Sequence, residues 1–234
     1  MSACIHRIML GVVAAAALVS AAAVQAQIPP SEDEVLQYRG LHAAARHGEL
    51  AAIQRSIVDK ADLNIRDPYG RTPVHVATYA RQREAIKLLA KAGADLGLLE
   101  HDCYDAVTIA AVADDEGTLR LLLALGASAK LTTSRYDGTA LIAAAHLGHD
   151  GIVRQLIAAG APLDHVNNLH WSAVIEAVVL GDGGPRHQAT LRALIDAGAN
   201  LQRTDRHGST PLMLAKQRSY MAMVRMLEGA RGSP

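Results

Sequence analysis

The chain has 234 residues, half of them hydrophobic, with no Phe, one Trp, and 23 basic residues matched by 23 acidic ones. That length fits one sizeable domain or two small ones. Balanced charge leaves no basic stripe for nucleic acid and no polybasic run for anionic lipid, so neither partner is expected. A hydrophobic fraction dominated by Ala and Leu suits closely packed helices better than a sandwich or barrel, which would need more aromatic and β-branched residues.

In chain order, residues 1–26 stand apart. Arg7 gives a short positive start, an apolar run follows from Ile8 to Val24, and Val24-Gln25-Ala26 has the small residues a signal peptidase accepts. The reading is a secretory signal cleaved after Ala26, with a periplasmic or secreted destination and no stable membrane insertion afterwards. The apolar run, at about 17 residues and rich in Ala, is short for a spanning helix. Residues 27–33 read as a short flexible linker. Cleavage would leave Cys103 as the one remaining thiol, so no internal disulfide is expected, and a half-buried turn residue is the plainer role for it than redox sensing.

From residue 34 onward the chain repeats itself. The frame Thr72-Pro73-Val74-His75-Val76-Ala77 returns 33 residues upstream as Leu41-His42-Ala43-Ala44 and 33 downstream as Asp105-Ala106-Val107-Thr108-Ile109-Ala110. Further copies begin at Thr139, Ser172 and Thr210, the last step being five residues longer. A second landmark keeps pace in Ala92-Gly93-Ala94-Asp95, Leu125-Gly126-Ala127-Ser128, Ala159-Gly160-Ala161-Pro162 and Ala197-Gly198-Ala199-Asn200. Within one unit, Asp67-Pro68-Tyr69-Gly70 predicts a tight turn. Thr72 predicts a helix cap, with Pro73 at the first helical position. A short Ala-rich helix follows, then a second carrying Ile86, Leu88 and Leu89 on one face, closed by Gly93. No such unit can bury its apolar face alone, so the units must stack.

Gly70-Arg71-Thr72-Pro73-Val74-His75-Val76-Ala77, the run from Ile86 to Asp95, and Gly208-Ser209-Thr210-Pro211-Leu212 resemble the ankyrin repeat family. The wording around Tyr136-Asp137-Gly138-Thr139 and Asn167-Asn168-Leu169-His170-Trp171 resembles bacterial members. The resemblance implies an all-α, curved ankyrin-repeat solenoid of about six helix-turn-helix units with β-turn fingers along one edge, and a role in binding proteins. The units fall near 34–66, 67–99, 100–133, 134–166, 167–204 and 205–231. Units one and six depart from the pattern as end caps do.

Candidate chemistry is sparse. His42 and His75 occupy the repeat's own histidine position, where the resemblance implies a ring hydrogen-bonded to backbone between units. His146 and His149 sit three apart, a spacing open to metal, but lack a third ligand at suitable spacing. No nucleophile elbow, phosphate loop, zinc helix or dinucleotide fingerprint occurs, so no catalytic, cofactor or metal residue is assigned and the chain is read as a non-enzyme. Gly181 to His187 holds the extra residues of unit five and reads as an enlarged loop between that unit's helices. Partner-binding candidates are Tyr69, Tyr104, Arg135, Tyr136, His170, Trp171 and His207 along the fingers, with Arg186 at the loop; Tyr, Trp and Arg dominate interface energies. Packing of finger against finger competes with that role. The functional expectation is a monomeric interaction module of the bacterial envelope holding a protein partner. An accessory or chaperone-like factor, a metal-dependent enzyme and a host-directed effector stay open as alternatives.

Overall fold

A computed structural model describes residues 29–231; the signal segment 1–26 lies outside them. Ser31 caps α1 (Glu32–Gln37) by accepting from the Glu34 amide, and the Glu34 side chain answers on the Ser31 amide. Six pairs of helices then follow: α2 (Gly40–His47) with α3 (Leu50–Val58), α4 (Pro73–Tyr79) with α5 (Arg83–Lys91), and α6 (Ala106–Val112) with α7 (Glu116–Ala124). The series continues as α8 (Ala140–Leu147) with α9 (Asp150–Ala158), α10 (Ala173–Val179) with α11 (Pro185–Asp196), and α12 (Pro211–Gln217) with α13 (Met221–Arg231). The first helices pack side by side in one row and the second helices in another, each touching its counterpart in the next unit. This is the ankyrin-repeat solenoid.

The predicted caps form. Thr72, Asp105, Thr139, Ser172 and Thr210 each sit in extended backbone and accept from the amide three residues on. Arg39, at the same place in unit one, makes no side-chain cap. Gly93, Gly126, Gly160 and Gly198 close the second helices with positive φ, and Lys60 takes that conformation, φ 55°, where unit one has no glycine.

Burial recurs at the repeat spacing. Leu89, Leu122, Leu156, Leu194 and Leu227 hold equivalent places on the second helices, each at most 1% exposed. Truncating one to Ala would cost about 2–5 kcal/mol, because a solenoid core gives the cavity neighbours on both sides. Ala44, Ala77, Ala110, Ala144, Ala177 and Ala215 are buried along the first helices, where a larger side chain would push the two rows apart.

Unit one differs from the reading in a specific way. Where the later units carry a finger turn, it carries α1. The insertion of unit five also differs: α11 has 12 residues where α9 has 9, so part of the extra length is an added helical turn begun by Pro185, and Arg186 and His187 lie on that helix. Pro185 needs no amide donor there, which lets the helix start early.

Candidate functional site

Each finger is a turn held by its first residue. Asp67 Oδ1 accepts from the amides of Tyr69 and Arg71, both at 2.8 Å. Glu100, Ser134, Asn167 and Asp205 bind the amides two and four residues on in the same manner. The fourth residue of each turn has positive φ: Gly70, Cys103, Asp137, His170 and Gly208. At Gly70 a Cβ would in addition meet the His101 ring, with Cδ2 at 2.5 Å. In the fourth finger the flanks pair as a minimal hairpin, β1 (Thr132–Thr133) with β2 (Gly138–Thr139).

Fingers are then joined to one another through backbone. His101 N donates to Tyr69 O at 3.0 Å, Ser134 N to Cys103 O at 2.9 Å, and Asn168 N to Tyr136 O at 2.9 Å. Arg66 adds a bond to Leu99 O, Arg135 pairs with Asp102 at 2.5 Å, and Arg206 donates to Asn168 O. The opposite edge, where first and second helices meet, is stapled by side chains. His149 Nδ1 lies 2.9 Å from Ala111 O, His187 Nε2 2.9 Å from His146 O, and Tyr220 Oη donates to Gly181 O at 2.9 Å.

The eight candidates fall into three places. Tyr69, Arg135, Tyr136, His170 and His207 are exposed at the finger tips, with Tyr69 and Tyr136 each more than 40% accessible. Tyr69 is partly engaged, because the Arg71 guanidinium lies 4.6 Å from its ring centroid. Tyr104 must be withdrawn from the surface set: it is 5% exposed, and burial pushes its phenol up to about 12. Trp171 is half-buried and packs against the core. The cause is the turn itself. Tyr69 and Tyr136 precede the positive-φ residue and point out, whereas Tyr104 and Trp171 follow it and fold back toward the first helices. Arg186 is on the other edge, 2.8 Å from Asp114 and 3.8 Å from Asp150, so it does not join the finger group. His101 and Arg206 are exposed at the tips as well and were not singled out from sequence; their place two residues into the turn was the available signal.

The histidines diverge. His42 Nε2 lies 2.9 Å from Arg71 O and so links unit one to unit two, whereas His75 Nε2 lies 2.9 Å from Leu98 O at the end of its own unit. The Thr72 amide donates to His75 Nδ1 at 3.0 Å, which makes Nε2 the protonated nitrogen. Burial pushes the His75 pKa down to about 4. His149 faces unit three, whereas His146 Nδ1 faces Glu176 Oε2 of unit five at 3.6 Å, so the two do not converge on one point.

Two buried ionisable groups were also missed. Arg71 is 3% exposed and binds Glu34 of α1 at 2.5 Å; Tyr38 Oη donates to Asp67 at 3.0 Å beside it. Burial is the largest single influence and works to raise the Glu34 pKa, but the hydrogen bonds from Arg71, Tyr69 and the Ser31 amide together with the Arg71 charge outweigh it and hold the carboxyl below its ordinary value. Glu176 is 4% exposed in the middle of α10, and burial pushes its pKa up to about 8. A polar residue in an apolar register was the signal for it. Among the described residues, no helix is long and apolar enough to cross a membrane.

Comparison with known proteins agrees with this geometry. A family profile for ankyrin repeats in three copies matches residues 13–100 and 107–205. The Escherichia coli K12 ankyrin repeat protein YahD is 31% identical over 188 residues, 80% of this chain and 93% of YahD. The crystal structure of the ankyrin repeat domain ABAYE2397 from Acinetobacter baumannii AYE superposes with a TM-score of 0.77 at 39% identity, covering 82% of this chain and 97% of that one. The ankyrin repeat domain of Bcl-3, a member of the IkappaB family, gives 0.74 at 28% identity over 85% of this chain and 88% of its own. Ankyrin repeats are protein–protein interaction modules, and proteins built from them are generally non-enzymatic scaffolds. This chain belongs to the ankyrin repeat family.

Proposed function

We propose that the chain is a monomeric, non-enzymatic interaction module of the bacterial envelope, periplasmic or secreted, that holds a protein partner along its finger edge. The observation that carries this reading is the row of exposed tip side chains, Tyr69, Arg135, Tyr136, His170, Arg206 and His207, on fingers joined by backbone hydrogen bonds from unit two to unit five and by Arg206 at unit six. Aromatic and guanidinium groups presented on a rigid frame lose little side-chain freedom on binding, which is what an interface anchor needs. The export part of the reading is supported by the charged start, apolar run and small-residue site within residues 1–26.

The test places a photo-crosslinking amino acid at Tyr136 in the full-length chain, expressed in a bacterial host that exports it, followed by cell fractionation and mass spectrometry. One discrete adduct in the periplasmic fraction, absent when the crosslinker replaces Glu228 on the last helix, is the expected result. The mature chain confined to the cytoplasm refutes the envelope assignment. A Tyr136 position that captures nothing beyond the Glu228 control refutes the finger-edge interface.

A further inference from the structure

Glu176 stands at a register position that the other units give to carbon. Four residues after the helix cap, units two, three, four and six carry Val76, Ile109, Ala143 and Leu214. Stacking therefore does not call for a carboxyl there. Glu176 Oε1 accepts from Asn167 Nδ2 at 2.9 Å, which ties α10 to its own finger. Oε2 is buried and accepts no hydrogen bond. The one basic group within ion-pair distance among the described residues is the His146 ring, with Nδ1 3.6 Å away. Burial and the neighbouring His187 and His149 hold His146 below its ordinary pKa, so the ring does not supply the missing positive charge.

A buried carboxyl with one oxygen unsatisfied is costly to ionise, and apolar residues of similar size are the cheaper solution for a core. The arrangement makes sense if the second oxygen is reserved for a ligand. Oε2 is buried 3.6 Å from the His146 ring, whose side chain is 19% exposed at the end of α8, so a cation would reach it by displacing that ring.

We propose that Glu176 anchors a subsite between α8 and α10 that takes a basic side chain of the protein partner, an ammonium or guanidinium donating to Oε2 beside the His146 ring. The inference rests on the reading of the chain as a protein-binding module. Engagement converts a neutral carboxyl facing a cation into a carboxylate–cation pair, and the proton leaves to solvent. The resulting bond is charge-assisted and short of water, so it is stronger than the same contact at the finger tips. Asn167 connects this event to a reporter. Its Oδ1 accepts from the amide of Trp171, the sole tryptophan, while its Nδ2 holds Glu176.

The test uses n-butylguanidinium and n-butylammonium as probes on the folded chain with 13C-labelled glutamate at neutral pH. The expected result is a saturable shift of the Glu176 carboxyl carbon toward its ionised position, with an affinity on the order of 10 mM for so small a probe. Trp171 emission should change in parallel, neutral n-butylurea should do neither, and E176Q, which keeps an acceptor for Asn167, should abolish the emission change while melting as a folded protein. A Glu176 resonance unmoved by either cation overturns the subsite, as does an undiminished emission change in E176Q. A partner captured at Tyr136 alongside an unmoved Glu176 rejects the subsite and keeps the module. A moved Glu176 with no partner captured at any finger rejects the assignment of the cation to a protein.

Discussion

Arg186 Nη2 lies 2.8 Å from Asp114 Oδ2, a residue 72 positions earlier and two units away. Asp150, in the unit between them, is 3.8 Å from the same guanidinium. One side chain on the early turn of α11 thus spans three units along the edge opposite the fingers. Stability in a solenoid is mostly a sum of nearest-neighbour terms, and a contact that skips a unit adds cooperativity beyond that sum. Arg186→Ala is expected to cost less than about 1 kcal/mol, because the pair is exposed and screened. Melting in low salt should show the loss, and melting in high salt should erase it. A loss that persists in high salt would assign the role of Arg186 to packing.

The two classes of finger tyrosine predict opposite outcomes. Tyr104→Ala empties a buried site and should lower stability by about 3 kcal/mol. Tyr136→Ala removes an exposed ring and should stay within about 0.5 kcal/mol of the parent. Chemical denaturation of the two variants side by side checks this. Equal losses would mean that the fourth finger is packed as tightly as the third.

Here the limits of the sequence are visible. The spacing of the caps and terminal glycines made the six units, their helix pairs and the turn positions legible, because caps and left-handed closures are local chemistry. Tyr69 and Tyr104 looked alike as aromatics just ahead of a cap. Their fates differ because one precedes and the other follows the positive-φ residue, a distinction that was present in the register and was not used. The Ser31-x-x-Glu34 capping box likewise announced α1, which begins at the end of the stretch 27–33 read as linker and runs into unit one. The Arg71–Glu34 and Arg186–Asp114 pairs were not legible, since each needs the three-dimensional placement of units that the repeat pattern leaves unspecified.

Stability should depend on pH through two buried groups of opposite sign. Glu176 has a folded pKa raised from 4.5 to about 8, so the unfolded chain ionises first and stability falls as pH rises between those values. His75 has a folded pKa lowered from 6.5 to about 4, so the unfolded chain protonates first and stability falls as pH drops through that range. Between pH 4.5 and 6.5 the two slopes oppose each other, and above 6.5 the Glu176 slope stands alone. In denaturant titrations across pH, Glu176→Gln should flatten the decline between 6.5 and 8, and His75→Gln should leave the Glu176 slope unopposed between 4.5 and 6.5, so that stability rises there as pH drops. A Glu176→Gln profile parallel to the parent above pH 6.5 would show that the carboxyl is already ionised in the fold.

Asn167 joins the fifth finger to α10 with both ends of its amide, accepting from Leu169 and Trp171 and donating to Glu176. Asn167→Ala leaves those groups without partners and is expected to cost about 2–3 kcal/mol. Trp171 emission should move to the red as the half-buried indole gains water. An unchanged spectrum with unchanged stability would mean that the core alone positions this finger.

The backbone ladder across the fingers has a consequence for any extended partner. A repetitive scaffold invites slippage, because a ligand shifted by one unit meets the same shape again. Here the shape repeats but the tips do not: Pro68-Tyr69, His101-Asp102, Arg135-Tyr136, Asn168-Leu169 and Arg206-His207 form a series with no two members alike. Because the fingers of units two to five are tied through main-chain atoms, a tip among them cannot swing over to serve the adjacent step. A shift by one unit exchanges the guanidinium and phenol of the fourth finger for the imidazole and carboxylate of the third or the amide and leucine of the fifth. The edge therefore encodes a single alignment and a single polarity for whatever lies along it.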